Sequence, residues 1–460
     1  MNAERQTSNA PPFYSKWANT PFAPAKCPFF YGWVIVAVST MSIIFSMPGQ
    51  TAGIGIFTDH IIAALNITRH QLSLAYMIGT ISSGLILPFA GKILDRIGVR
   101  FMSLFASIGL ALSLLIFANV GNINTFLSAR FKVTWLAMII VSIAFFLVRF
   151  FGQGNMTMVG RVAMGRWFNN WRGMATAIAG VPIAFFFNAT PWLLNKLIDS
   201  YGWQGTCYLT AGLIGIVMTV IGVLFFRDNP EECGLVMDGL KEGRSQQNSR
   251  KQLHPTRRQF TRPEALHSVS FWAYVLGLAA HGLIVTAIAF HITSIGQEMG
   301  KSREQAVLMF FYSSFISIPA RFAISFIVDY TRFRLRYVLM MLAATIACYT
   351  LGLAWFNTTA GWIVTTIGFG LSGGTWGVLS NVTFPRYFGR KHLGAISGVC
   401  MSVLVIASAI GPAYFSYGRM ILGSYRNAAF STLVLPLIIL ILAFFTRNPQ
   451  ITKRADNEKD

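Results

Sequence analysis

Twelve long apolar stretches recur along this chain, each close to the length that a lipid bilayer demands of a helix. A helix crossing the hydrocarbon core needs roughly 20 mainly apolar residues. Its backbone polar groups must also be satisfied within the segment itself. The stretches lie near residues 31–56, 72–91, 101–120, 134–160, 173–198, 205–226, 270–294, 305–328, 336–356, 361–383, 394–416 and 427–446. Only 12% of residues are charged, against about 25% in soluble domains. The expected class is an all-α membrane protein with twelve transmembrane helices. An even number of crossings puts both ends on one side.

The net charge of +21 would ordinarily raise nucleic-acid binding, so where the charges fall decides what they mean. With the N-terminal segment placed in the cytoplasm, 27 of the 37 Lys and Arg fall in tails or inward loops, 8 in outward loops and 2 within helices. That bias is the positive-inside rule. It predicts cytoplasmic termini and no nucleic-acid partner. The polar, proline-rich first 29 residues lack the apolar core of a cleaved signal peptide, and a polar linker follows the sixth apolar stretch. The expected organisation is a cytoplasmic tail over 1–29, a six-helix bundle over 30–226, a cytoplasmic linker over 227–269, a second six-helix bundle over 270–446 and a tail over 447–460. The five cysteines are scattered, without metal-ligand spacing, and read as packing residues. Nothing in the sequence calls for a cofactor or metal.

Between the second and third stretches lies Gly91-Lys92-Ile93-Leu94-Asp95-Arg96-Ile97-Gly98-Val99-Arg100, a glycine-bounded basic turn. A degraded copy, Ser325 to Arg334, keeps Asp329 and Arg334. Other motifs also repeat between the halves. Gly165-Arg166-Trp167-Phe168 parallels Pro385-Arg386-Tyr387-Phe388, and Gly173 and Pro191 each have a counterpart 221 residues on, at Gly394 and Pro412. Gly202-Trp203-Gln204 likewise parallels Ser424-Tyr425-Arg426. Two related six-helix halves with a site between them near the midplane is the architecture such a repeat implies.

The pattern G-x-x-x-D-R-x-G-x-R resembles the signature loop of the major facilitator superfamily of secondary transporters. Tyr31-Gly32-Trp33, Arg149-Phe-Phe-Gly152-Gln-Gly154, Trp167-Phe168 with Arg172-Gly173, and Arg227-Asp-Asn-Pro230-Glu231-Glu232-Cys-Gly234 resemble its monocarboxylate-transporter-like branch, which includes oxalate/formate antiporters. The resemblance implies two pseudo-symmetric six-helix bundles, with Gly91, Asp95, Arg96, Gly98 and Arg100 as gating residues. In that family the loop's acid docks against the start of helix 11, here around Leu393 to Ala395.

Charged residues inside a span cost ~2.5–3.5 kcal/mol on insertion scales and so mark cavities or partners. Arg149 and Arg321 stand out. Arg321 follows Ser317-Ile-Pro319-Ala320 and aligns with the helix 8 arginine that binds substrate carboxylate in the resembled branch. A guanidinium's planar fork of donors suits a carboxylate. Arg149 is either a second contact or part of a structural network. Asn155, Gln153 and Asn188 offer a polar lining, while Tyr312 and Trp376 are the aromatic residues expected in a cavity. Ser317 stands where animal monocarboxylate transporters carry an acid, and the oxalate exchangers' helix 11 lysine has no counterpart in 394–416. These departures favour a monoanion unless Arg149 supplies a second charge. For proton coupling the titratable candidates are His281, His291 and Asp59.

The resulting expectation is an alternating-access carrier, not an enzyme, that moves a small organic anion, most simply a monocarboxylate, with proton symport. The alternatives are an anion exchanger, a carrier or exporter of a bulkier acid such as a siderophore or aromatic acid, and a non-transporting sensor. The expected location is the cell (inner) membrane, where a monomer suffices.

Overall fold

A computed structural model describes residues 16–131, 135–239, 256–331 and 333–451; the side chains of Asn188, Pro191 and Arg303 also lie outside the described residues. Every regular element among the described residues is helical, and twelve crossings are arranged as two six-helix bundles. We number the transmembrane helices α1 to α12. The first is α1, Gly32–Phe45. The continuous run Arg69–Ala118 holds α2 (69–97) and α3 (99–118), and α4 spans Leu136–Trp167. The run Arg172–Leu213 holds α5 (172–201) and the start of α6, which continues to Phe225. In the second half, α7 is Val269–Glu298, α8 is Arg303–Tyr330, α9 is Leu335–Ala354, α10 is Thr359–Phe388, α11 is Leu393–Leu422 and α12 is Tyr425–Phe445.

Two glycines turn these long runs. A straight helix of 50 residues would measure about 75 Å at 1.5 Å per residue, far beyond the ~30 Å hydrocarbon core, so Arg69–Ala118 must reverse. It does so at Gly98, whose φ is 88°, and Arg172–Leu213 reverses at Gly202, with φ 70°. Left-handed backbone of this kind is cheap only for glycine.

Helix starts carry their own signals. Thr68 and Gln71 form a capping box at the start of α2, and Ser302 and Gln305 form the same box at α8. Each satisfies amide donors that a helix terminus leaves orphaned. The two boxes are 234 residues apart, as are Asp95 and Asp329 at the far ends of the same helices. Thus α2 and α8 begin and end alike.

The first apolar stretch departs from expectation. It stops as a helix at Phe45, and Met47-Pro48-Gly49 forms a short 3-10 turn before a new helical segment begins at Thr51. Opposite this break α4 widens into a π-helical stretch, Arg149–Met156. The two irregularities fit each other: a Cβ on Gly49 would lie 2.7 Å from the Gly152 Cα and 2.6 Å from the Val148 carbonyl oxygen. Only glycine permits that approach. Interruptions of this type within α-helices recur at functional sites.

Candidate functional site

The face that carries both described ends, called the terminal face below, is shut by two crossed contacts between the halves. Asp95, ending α2, accepts from the backbone N–H of Gly394 (2.8 Å) and Ala395 (2.7 Å) in the first turn of α11. Asp329, ending α8, accepts from Gly173 (3.1 Å) and Met174 (2.8 Å) in the first turn of α5. Each half therefore lends a carboxylate to a helix N-terminus of the other. Free amides and the helix dipole both favour an anion at such a terminus.

An arginine braces each acid. Arg166 pairs with Asp95 at 3.0 Å and with Asp228 at 3.2 Å, while Arg386 pairs with Asp329 at 3.3 Å. The crossings are close because they are glycine-lined. A Cβ on Gly91 would lie 2.2 Å from the Gly394 carbonyl oxygen, and one on Gly398 would lie 2.8 Å from that of Leu87. Small residues at this spacing let two helix backbones touch.

The signature-loop residues take different parts from those expected of them as a group. Gly98 is required twice over: its φ is positive, and a Cβ there would lie 2.5 Å from an Asp228 carboxylate oxygen. That carboxylate bonds the Val99 N–H and so caps α3. Arg100 donates to the Val223 (Nε, 2.7 Å), Trp17 (2.8 Å) and Thr20 (2.6 Å) carbonyls, tying α3 to α6 and to the segment before α1. It is a structural tie within the first half, away from the crossed contacts. Arg96 is exposed, and the cation at Asp95 is Arg166 instead. Beside this network, burial pushes the Asp228 carboxyl up against the opposing pull of Arg166, and burial raises Glu232 to about 7.

The intramembrane residues divide into two groups. Arg149 is fully buried; its Nη1 donates to the Gly49 carbonyl (3.1 Å) and Thr51 Oγ1 (3.3 Å), and its Nη2 to Ser408 Oγ on α11 (3.3 Å). Its guanidinium also lies over Tyr76, 5.4 Å from the ring centre. These partners make it a strut between α4, the broken segment after α1, and α11. Asn155 donates to the Phe150 carbonyl at 2.9 Å inside the π-helical stretch, so its amide stitches α4 to itself.

Arg321 is different. Its neighbours are glycines: a Cβ on Gly180 of α5 would lie 1.7 Å from Nη1, and one on Gly377 of α10 would lie 2.5 Å from Nη2. Nε is buried without a hydrogen-bond partner, and Nη2 reaches the Gly373 carbonyl only at 3.5 Å. No carboxylate among the described residues pairs with it. Glycines 373, 374 and 377 make room for α8, and α10 runs unbroken past them. Ser317 faces the same strip, its Oγ 3.2 Å from a Cβ placed on Gly373.

Arg161 is the residue that sequence reasoning missed. Counted there as an inward-loop cation, it lies within α4, with its guanidinium 4.9 Å above the Trp376 ring and Nη1 3.6 Å from Met401 Sδ. Its signal was the Gly160-Arg161 position five residues before Arg166, inside a helix rather than past its end. A cavity of about 20 Å³ beside it is also lined by Asn381, Ser397 and Cys400. Trp376 donates to the Leu278 carbonyl at 3.2 Å, and the His281 ring lies 5.8 Å from it, with Nδ1 buried and unpartnered. So Arg161, Trp376, Arg321, Ser317 and His281 gather where α4, α5, α7, α8 and α10 meet.

Other expected site residues lie elsewhere. His291 bonds the Pro412 carbonyl at 2.9 Å and Tyr425 Oη at 3.2 Å near the face opposite the termini. Asp59 is in an exposed ion pair with Arg69. Tyr312 is about half exposed and packs on Trp362. Gln153 is buried in the π-helical stretch. The expected Asn188 side chain is outside the described residues. A groove of about 830 Å³ runs along α1, α5 and α6, lined among others by Trp33, Met41, Pro182 and Leu213, with no charged residue among the described ones that line it.

Comparison with known proteins completes the picture. No curated protein matches the chain. Solved structures match nearly its whole length: the E. coli fucose:proton symporter (12% identity, 89% of this chain and 98% of that one, TM-score 0.59), the human organic anion transporter MFSD10 (14%, 91% and 100%, 0.59) and the proton:xylose symporter XylE (15%, 90% and 95%, 0.60). At such identities the likeness is one of fold. The family model of the Major Facilitator Superfamily matches residues 34–412, and with the two-bundle fold this shows that the chain is a multi-pass membrane protein belonging to the Major Facilitator Superfamily of transporters.

Proposed function

We propose that this protein carries a small organic anion by alternating access, with a carboxylate of the substrate held by Arg321. One observation carries the reading. Arg321 is a half-buried residue, its Nε buried, that lies between the two halves, against α5 on one side and α10 on the other, and it pairs with no acid among the described residues. A charge in that position is costly unless compensated, and a planar fork of donors is matched by a carboxylate. Substrate bound there touches both halves, as a carrier requires for binding and reorientation to be linked. The terminal face, which positive charge bias places in the cytoplasm, opens when the Asp95 and Asp329 contacts break. Proton symport is the proposed coupling mode, with His281, one ring away from the site across Trp376, as the group that takes the proton.

The test is uptake of labelled lactate, pyruvate and a wider set of short acids into proteoliposomes, with and without an inward proton gradient. Wild type is expected to accumulate at least one acid, and Arg321→Gln to lose at least tenfold of that uptake while remaining folded. Uptake that persists in Arg321→Gln refutes the anchor. Uptake that ignores the proton gradient but needs an internal anion replaces symport with exchange.

A further inference from the structure

Arg161 and Arg321 share an unusual condition. The buried arginines each have an oxygen acceptor within 3.3 Å, although several keep a buried Nε without a partner: Arg166 and Arg386 have carboxylates, Arg100, Arg172 and Arg227 backbone carbonyls, and Arg149 a carbonyl and two hydroxyls. Arg161 has a tryptophan face and a thioether, and Arg321 has one distant carbonyl. Neither pairs with an acid among the described residues. Their meeting point is the dipeptide Trp376-Gly377 on α10. The indole lies beneath Arg161, and the missing side chain of Gly377 leaves the space that Arg321 fills.

Two half-buried cations without a paired acid, both against α10, favour negative charge placed between them. One anionic group neutralises one of them. Two groups neutralise both, each on a fork of donors that accepts a carboxylate in bidentate fashion. Arg161 belongs to the first half and Arg321 to the second, so a two-headed anion would bridge the halves.

We propose that Arg161 is a second anion-binding residue and that Arg161 and Arg321 together select a small dianion, such as a dicarboxylate, one carboxylate to each half. This rests on the anchor role of Arg321 proposed above and sharpens it, because the apparent lack of a second cation was the sequence's reason for favouring a monoanion. Asn381, on α10 beside the Arg161 cavity, donates its amide nitrogen to the Gly377 carbonyl and keeps a buried unpartnered Oδ1. It holds the α10 backbone next to both arginines.

The experiment compares oxalate, malonate and succinate with their monomethyl esters, which keep the length and remove one charge. Binding to the purified protein is measured by calorimetry at pH 7.5 for wild type, Arg161→Gln, Arg161→Lys and Arg321→Gln, with folding checked by thermal melts. Wild type is expected to bind at least one diacid ten or more times tighter than its ester. Arg161→Gln is expected to abolish that preference by weakening the diacid at least tenfold more than its ester, Arg161→Lys to keep part of it, and Arg321→Gln to weaken both ligands.

A wild type that binds esters as well as diacids overturns the proposal while leaving the Arg321 anchor standing. So does an Arg161→Gln variant that keeps the preference. Failure of wild type to bind any of these acids, or indifference of both ligands to Arg321→Gln, removes the anchor and this proposal with it. Should Arg161→Gln not fold, the wild-type ratio and Arg161→Lys still decide the matter.

Discussion

Replacing Asp95 with Asn tests the account of the closed terminal face most directly. The carboxylate accepts two backbone N–H groups from α11 at 2.8 and 2.7 Å, and an Arg166 nitrogen at 3.0 Å. Hydrogen bonds to a charged group contribute roughly 1.5–3 kcal/mol each and neutral ones about 1. An asparagine keeps one acceptor oxygen, so two charged bonds become one neutral bond. Arg166 keeps Asp228 as a partner, which limits the further loss. The closed state should weaken by about 2–5 kcal/mol relative to the open one, which is at least roughly 30-fold in population at tenfold per 1.4 kcal/mol. Spin labels at Lys92→Cys and Lys391→Cys, both exposed and in opposite halves, report the gap by pulsed electron resonance on a background with Cys27 and Cys348 replaced. A long-distance population should appear in Asp95→Asn and grow further when Asp329→Asn is added, since the two contacts lie on different helix pairs and should add. A distance distribution in Asp95→Asn identical to that of the parent would refute the reasoning.

Two further tests concern local chemistry. Gly98→Ala and Gly202→Ala impose the same left-handed penalty, about 1–2 kcal/mol, but a Cβ meets the Asp228 carboxylate at 2.5 Å at the first and nothing within 4 Å at the second. The Gly98 variant should therefore lose clearly more thermal stability, and equal losses would show that the clash is absorbed. Glu232, raised by burial to about 7 from an ordinary value near 4.5, keeps a proton in the folded chain that the unfolded chain gives up between those pH values. Stability should fall as pH rises through that window and be flat beyond it. The melting temperature of wild type should thus drop more between pH 5 and 7.5 than that of Glu232→Gln, and parallel curves would contradict the burial effect.

Much of the architecture was legible because membrane solvation leaves a periodic mark on the chain. Segments of about 20 apolar residues, a bias of basic residues to one side, and repeated motifs around Gly173/Gly394 and Pro191/Pro412 follow from local physics and need no knowledge of packing. Arg321 was visible as a charge placed where charge is expensive, and Asp95 through the signature loop that it sits in. Three features stayed hidden. The break of α1 at Pro48-Gly49 lies inside an apolar run that hydropathy reads as unbroken, and the π-helical turn opposite it has no sequence signature. Arg100 looked like a gate because it sits in the signature loop, yet its direction sends it to three carbonyls of its own half.

Chain order therefore settled how many times the bilayer is crossed, where the acids at the ends of α2 and α8 stand and which arginine lies deep in α8, because each depends on local composition and helix length. Tertiary packing alone decided which cations are paired and which are bare. Arg149 and Arg161 stand twelve residues apart on one helix, and nothing along the chain says that the first meets a carbonyl and two hydroxyls while the second faces Trp376 and shares its surroundings with Arg321. Pairing is a property of neighbours brought together from five helices, and those neighbours exist only once the two halves have closed on each other.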